Sequence, residues 1–269
     1  MRIKALVPTG HGINCENETR HALEVAGFDT VDLVHLNLLA GGNVDPFNYQ
    51  LIVFPGGFLD GDDLGAAQAC ANRIRHSRVN EERLIDRLVR FVHGGGLVLG
   101  ICNGFQLLTK LGMLPAMDGD YTRREITLTG NDSGRFESRW VTLAVDRASN
   151  CIFTKGVERL YLPVRHGEGK IVGRTGDLAG LLVERHLAPV RYASRDTDEP
   201  TMDYPFNPNG SEQAIAGLTD STGRVFGLMP HPESFNHRTN HPRWTREDLR
   251  EEGEGLAIFR NAARFLREA

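Results

Sequence analysis

Gly96-Leu97-Val98-Leu99-Gly100-Ile101-Cys102-Asn103-Gly104-Phe105-Gln106-Leu107-Leu108 joins two different periodicities at one residue. Its first half is a short, wholly apolar run, the pattern of a strand buried on both faces. Its second half, continuing to Leu111, spaces its apolar residues as a helix does. Cys102 stands between them in the frame Gly-x-Cys-x-Gly, which matches a nucleophile elbow. Such a turn holds one side chain out at the carboxyl edge of a sheet, and its flanking glycines answer a lack of room for a Cβ. The following helix would aim its N-terminal amides at the thiol and favour the thiolate. Read alone, the same residues also describe a small buried cysteine at the end of a core strand.

The rest of the chain narrows the choice. At 269 residues it is long enough to bury a full core, and one domain over 1–269 is expected. The hydrophobic fraction of 40% and charged fraction of 25% are those of an ordinary water-borne protein. A net charge of −4 offers no electrostatic footprint for nucleic acid or an anionic membrane. No apolar run approaches the roughly 20 residues of a membrane span. Met1 to Val7 reads directly as strand rather than as a signal peptide. Cys15, Cys70, Cys102 and Cys151 show no paired spacing, so reduced thiols and a cytoplasmic location are expected.

Taken in order, Arg2–Pro8 reads as a first strand, Glu16–Ala26 as a helix stopped by Gly27, and Thr30–Leu36 and Leu51–Phe54 as further strands. Helices are expected over Leu64–Arg78 and Glu81–His93. This alternation predicts an α/β fold with a mainly parallel central sheet flanked by helices. Beyond Leu114, runs at Ile126–Leu128, Trp140–Val145, Tyr161–Arg165 and Val190–Ala193 alternate like antiparallel strands. Ala214–Leu218 and Val225–Met229 are candidates to rejoin the main sheet. Asp196–Ser211 reads as an ordered polar loop, and an apolar stripe from Leu256 to Leu266 predicts a closing helix.

A cysteine nucleophile needs a base, and the base needs an orienter. Met229-Pro230-His231-Pro232-Glu233 offers both. Prolines on each side of His231 favour an extended segment, in which residues two apart share a face, so Glu233 would hold the imidazole while it serves Cys102. Phe54-Pro55-Gly56-Gly57-Phe58 ends the third strand, and the Gly57 amide together with that of Asn103 would make an oxyanion hole.

In this order and combination, Pro55-Gly56-Gly57, the Cys102 elbow and His231-Pro232-Glu233 resemble the class I, triad-type glutamine amidotransferases. The fold implied is flavodoxin-like. Asn131 to Glu137, His166 to Lys170 and Tyr204 to Ser211 are similar to segments of the family's purine-biosynthesis branch. The resemblance implies that Cys102 attacks the side-chain amide of L-glutamine, that His231 oriented by Glu233 moves the proton, and that Gly57 and Asn103 stabilise the oxyanion. It also implies that Gln106 helps to hold the substrate and that Asn131, Ser133, Arg135 and Phe136 grip its amino-acid end. The ammonia would pass to a separate synthetase subunit, which uses ATP to convert formylglycinamide ribonucleotide to the amidine, with a small bridging subunit in the complex. This chain would carry no cofactor and no metal; ATP and Mg would belong to the synthetase. The absence of a Gly-x-x-x-x-Gly-Lys-[Ser/Thr] loop agrees with that division.

Leu59-Asp60-Gly61-Asp62 replaces the family's usual Ser-Tyr-Gly-Asp after the Gly-Gly turn, which leaves the serine and tyrosine roles without a residue. Two stretches, Arg185–Met202 and Phe235–Arg250, look like additions to the family's compact free-standing subunit. The second, with Trp244 after His241-Pro242, resembles the glutaminase domain fused to the synthetase in some members; a separate subunit with fused-type loops is expected. His231, His237 and His241 have no stable helical frame, so solvated loop histidines are expected at the latter two. His166 reads as a residue of the catalytic crevice, of the synthetase interface or of a structural loop. Cys15 reads as a wall residue, since no base is evident beside it. The competing functions are a glutaminase for another amidotransferase, a cysteine hydrolase or chaperone of the related intracellular protease family, and a non-catalytic regulatory subunit.

Overall fold

The computed structural model describes residues 2–269. The first half runs through β1 (Lys4–Thr9), α1 (Glu16–Ala26), β2 (Thr30–His35), α2 (Leu36–Ala40), β3 (Leu51–Phe54), α3 (Gln68–His76), β4 (Arg78–Val79), β5 (Glu82–Arg83), α4 (Leu84–His93), β6 (Leu97–Ile101) and α5 (Asn103–Leu111). The second half adds β7 (Ile126–Gly130), β8 (Glu137–Val145), β9 (Arg159–His166), β10 (Glu168–Gly173), α6 (Leu178–Glu184), β11 (Val190–Ala193), β12 (Ile215–Thr219), β13 (Val225–Leu228) and α7 (Leu256–Glu268).

Nine strands form one sheet in the order β2-β1-β3-β6-β13-β12-β11-β8-β9. From β2 to β13 neighbours are parallel; from β13 to β9 they are antiparallel. The expected α/β class holds, and the second half extends the same sheet. Helices α1 and α7 pack on each other, while α3 packs with α4 and α5. Strand β6 lies near the middle with all five residues buried, as its unbroken apolar run requires. Among the described residues no helix is long and apolar enough to cross a membrane.

Several boundaries differ from expectation for local reasons. The helix placed over Leu64–Arg78 is shorter, because Gly65 and Ala67 take left-handed backbone and α3 starts only at Gln68. The helix placed over Glu81–His93 starts at Leu84. Asn80 and Glu81 both have positive φ, the pattern of a tight hairpin turn, and they close β4 onto β5. Helix α1 ends as expected, with Gly27 at φ 101 receiving the chain.

Candidate active site

The elbow is set by close backbone approach. Cys102 has φ 50 and ψ −103, a conformation L residues rarely adopt, and its N–H donates to the Leu228 carbonyl of β13 at 2.8 Å. A Cβ on Gly104 would stand 2.0 Å from the Phe54 carbonyl oxygen, and one on Gly100 2.6 Å from that of Gly104. Only glycine fits at either place, so the chain after β6 turns sharply and Cys102 Sγ projects beyond the sheet. Its thiol points to the Arg165 carbonyl at 3.6 Å.

Register explains how a distant histidine reaches this thiol. Strand β13 pairs in parallel with β6, Leu228 opposite Ile101, so residues after both strands emerge at the same edge. His231 follows at once and is buried, with Nδ1 2.6 Å from Glu233 Oε1. The pairing expected from sequence is present, but its reason is corrected. Pro232–Ser234 form a short 3-10 turn rather than an extended segment, and that turn brings the carboxylate back to the ring. His231 Nε2 and Glu233 Oε2 are buried without a hydrogen-bond partner among the described residues. Burial pulls the His231 imidazole down, but the Glu233 carboxylate and the neighbouring Cys102 and Cys15 thiols outweigh it, holding it well above its ordinary value.

The Gly-Gly turn lies between these groups and the loop after β1. Gly57 has φ 147, and a Cβ there would stand 2.6 Å from the Gly12 carbonyl oxygen. Asn14 and Cys15 donate backbone N–H to the Gly56 carbonyl, and Phe58 donates to that of Gly12. The N–H groups of Gly57 and Asn103 have no acceptor among the described residues, as an oxyanion hole requires.

A cavity of about 420 Å³ joins these parts, lined by Cys102, His231, Gly57, Gln106, Phe136 and His166, with Arg165, Glu18, Asp62 and Glu168 adding charge to its wall. Glu18 and Arg165 carry no local motif that singles them out, whereas Glu168 lies in the His166–Lys170 segment and Asp62 in the stretch after the Gly-Gly turn. The arrangement has what nucleophilic acyl transfer needs: a thiol, a buried imidazole with a carboxylate behind it, and free amides nearby.

The expected substrate residues divide. Phe136 is exposed at the cavity mouth, and Gln106 is in its wall. The Gln106 amide accepts from Asn103 Nδ2 at 3.0 Å and donates to the Glu168 carbonyl at 2.6 Å. Asn131, Ser133 and Arg135 do not line the cavity. Asn131 is buried; it donates to the Arg135 and His166 carbonyls and accepts from Gly169 N–H, with His166 Nδ1 3.1 Å away. The Ser133 hydroxyl donates to Glu137 at 2.6 Å. The three signature segments meet here: Asp132 N–H donates to the Asn209 carbonyl, and the Ser211 hydroxyl donates to that of Gly169. Together they brace the wall from His166 to Glu168. His166 lines the cavity, and burial, aided by the charge of His231, lowers it to about 3, so its ring is neutral.

Two further expectations are corrected. His241 is not solvated: it is buried among Trp140, Tyr161 and Phe235, whereas His237 is exposed and caps a short turn. Cys15 lines the cavity as the expected wall residue, but not for want of a base, since His231 lies within its reach. Burial pushes the Cys15 thiol up, and His231 only partly offsets that.

Comparison with known proteins gives a consistent picture. The family profile of the CobB/CobQ-like glutamine amidotransferase domain matches residues 2–266. The phosphoribosylformylglycinamidine synthase subunit PurQ of Dehalococcoides mccartyi is 45% identical over 267 residues, covering 99% of each chain. The phosphoribosylformylglycinamidine synthase of Drosophila melanogaster is 36% identical over 235 residues, 86% of this chain but 17% of that one. The solved structure of PurLQS from Thermotoga maritima is similar with a TM-score of 0.69 at 28% identity, over 99% of this chain and 100% of that one. A relative named as a subunit thus has the full length of this chain, the stretches 185–202 and 235–250 included.

Proposed function

The chain belongs to the CobB/CobQ-like glutamine amidotransferase family, and on that premise we propose how its cavity works. The protein is the glutaminase subunit of phosphoribosylformylglycinamidine synthase and releases ammonia from L-glutamine for purine biosynthesis. Cys102 gives its proton to His231 and attacks the side-chain amide carbon. The tetrahedral oxyanion is held by the Gly57 and Asn103 amides, the two backbone donors left free beside the thiol. His231, kept in orientation and charge by Glu233, passes the proton to the leaving nitrogen, and ammonia departs. Water activated by the same imidazole then attacks the thioester and releases glutamate, regenerating the thiol.

The wall suits a free amino acid. Arg165 offers a cation for the α-carboxylate, and Glu18, Asp62 and Glu168 offer anions for the α-ammonium, while Phe136 covers the aliphatic part. Gln106 acts through the wall: its amide ties Asn103 to Glu168. Asn131, Ser133 and Arg135 act one layer back, holding the segment that carries His166. Ammonia passes to the synthetase partner, which supplies ATP and Mg, with a small bridging subunit completing the assembly; this chain brings no cofactor of its own.

What supports the reading above all is that one cavity holds Cys102, His231 and Gly57, with Glu233 2.6 Å behind the imidazole. The test is Cys102→Ala in the reconstituted complex. Glutamine-dependent synthesis should vanish while synthesis from added ammonia stays at the wild-type rate. Equal loss of both would refute the mechanism.

A further inference from the structure

The mechanism uses one of the two thiols beside His231. The other, Cys15, precedes α1 and is buried, with Sγ 3.2 Å from Asn14 Oδ1. It shares a glycine with the imidazole: a Cβ on Gly56 would lie 3.3 Å from Cys15 Sγ and 2.8 Å from His231 Cε1. Cys15 Sγ, a ring nitrogen of His231 and a carboxylate oxygen of Glu233 all fall within 4.8 Å of one another. Glu233 Oε2 is a buried carboxylate oxygen without a partner among the described residues, a costly condition that a cation would relieve.

We propose that Cys15, His231 and Glu233 form a binding site for Zn²⁺, entered through the cavity, that switches the glutaminase off. Sulfur, imidazole nitrogen and carboxylate oxygen are the three donor types zinc takes, and three protein ligands plus one open position is a common arrangement. On a tetrahedral ion with Zn–S near 2.3 Å and Zn–N near 2.0 Å, neighbouring donor atoms stand about 3.5 Å apart. The three donor atoms lie no more than 4.8 Å apart, so about 1 Å of side-chain movement reaches that spacing, and the 2.6 Å contact between His231 Nδ1 and Glu233 Oε1 opens to admit the ion. A thiolate and a carboxylate cancel the charge of the ion, so the occupied site is neutral within a buried environment. The thiol proton, and any proton on the ligating nitrogen, leave to solvent on binding. With one ring nitrogen committed to the metal and Glu233 drawn to the same ion, His231 can no longer carry the proton from Cys102 to ammonia.

Site formation does not depend on the proposed mechanism, although the switching does, and the experiment separates them. Zn²⁺ is titrated by calorimetry into the full-length chain, its Cys15→Ser and Cys102→Ser variants, and Cd²⁺ is used to read the thiolate absorption band. Thermal unfolding with and without Zn²⁺ shows that each variant is folded. Wild type and Cys102→Ser should bind one ion with similar affinity, and Cys15→Ser should lose more than about 100-fold, beyond the range typical of outer-shell partners. Wild-type affinity in Cys15→Ser, loss of the ion in Cys102→Ser alone, or no binding by wild type at micromolar Zn²⁺ overturns the site. In the complex, Zn²⁺ should suppress glutamine-dependent synthesis and spare ammonia-dependent synthesis. Cys15-dependent binding without that suppression would leave the site standing but refute the switch, and with it His231 as the proton carrier.

Discussion

Replacing Glu233 by Gln removes one charge from a fully buried pair while keeping its volume, so the consequence follows from charge and hydrogen bonding rather than packing. The wild-type contact is short, 2.6 Å from His231 Nδ1, and the second carboxylate oxygen has no partner among the described residues. The substituted amide has two ways to sit. With its carbonyl toward Nδ1 it buries an unsatisfied NH₂; with its NH₂ toward Nδ1 it forces the tautomer whose Nε2 already carries a proton and cannot take one from Cys102. Exchanging a charge-assisted bond for a neutral one costs about 1–2 kcal/mol, and about 1.4 kcal/mol corresponds to one pKa unit. The alkaline limb of kcat/KM for glutamine, where the imidazolium proton is lost, should therefore fall by about one unit, with kcat/KM down at least about tenfold at its optimum. Stability gives an independent check. Because the folded His231 value is raised, the pair stabilises the protein fully below the unfolded value of about 6.5 and loses that contribution as pH rises through the folded value. The deficit of Glu233→Gln in urea unfolding should thus be largest in mild acid and shrink toward alkaline pH. An unmoved alkaline limb, or a stability deficit that grows with pH, would refute the reasoning.

Other outcomes test separate parts. Gly104→Ala places a methyl 2.0 Å from the Phe54 carbonyl oxygen, so unfolding should show a loss of about 1–3 kcal/mol and activity should fall with the displaced elbow. Asn131→Ala leaves the Gly169 N–H without its side-chain acceptor and the Arg135 and His166 carbonyls without their side-chain donor; calorimetry should show about 3 kcal/mol of destabilisation, whereas a direct substrate contact would raise KM at unchanged stability. Burial lifts the Cys151 thiol to about 11 and the Cys70 thiol to about 12, so iodoacetamide at neutral pH should label Cys102 in minutes and leave those two untouched, as read by mass spectrometry. The chain without its synthetase should hydrolyse glutamine poorly and speed up on adding the partner; a high rate alone would refute control of the glutaminase by docking.

What could be read from sequence was mostly what is local. Strands β3 and β6 are unbroken apolar runs, α1 carries its own stop at Gly27, and the elbow and His-Pro-Glu are compact motifs. The hairpin at 78–83 was hidden because Asn80 and Glu81, residues with no obligation to positive φ, are driven there by pairing of their neighbours. His241 looked solvated because its cage of Trp140, Tyr161 and Phe235 comes from three separate stretches. The bonds of Asn131 to residues 166 and 169 are hidden for the same reason, since those partners are distant in sequence. Cys15 lacked a visible base because that base comes from the far end of the chain.

The parallel pairing of β6 with β13 also sets the order in which the catalyst comes into being. During synthesis Cys102 leaves the ribosome roughly 130 residues ahead of His231, on the order of ten seconds at 5–20 residues per second. Until β13 arrives, nothing receives the Cys102 N–H, the turn has no reason to adopt its costly angles, and the thiol has no imidazole. A half-made subunit is therefore chemically quiet toward glutamine, and the last strand to enter the parallel part of the sheet arms it.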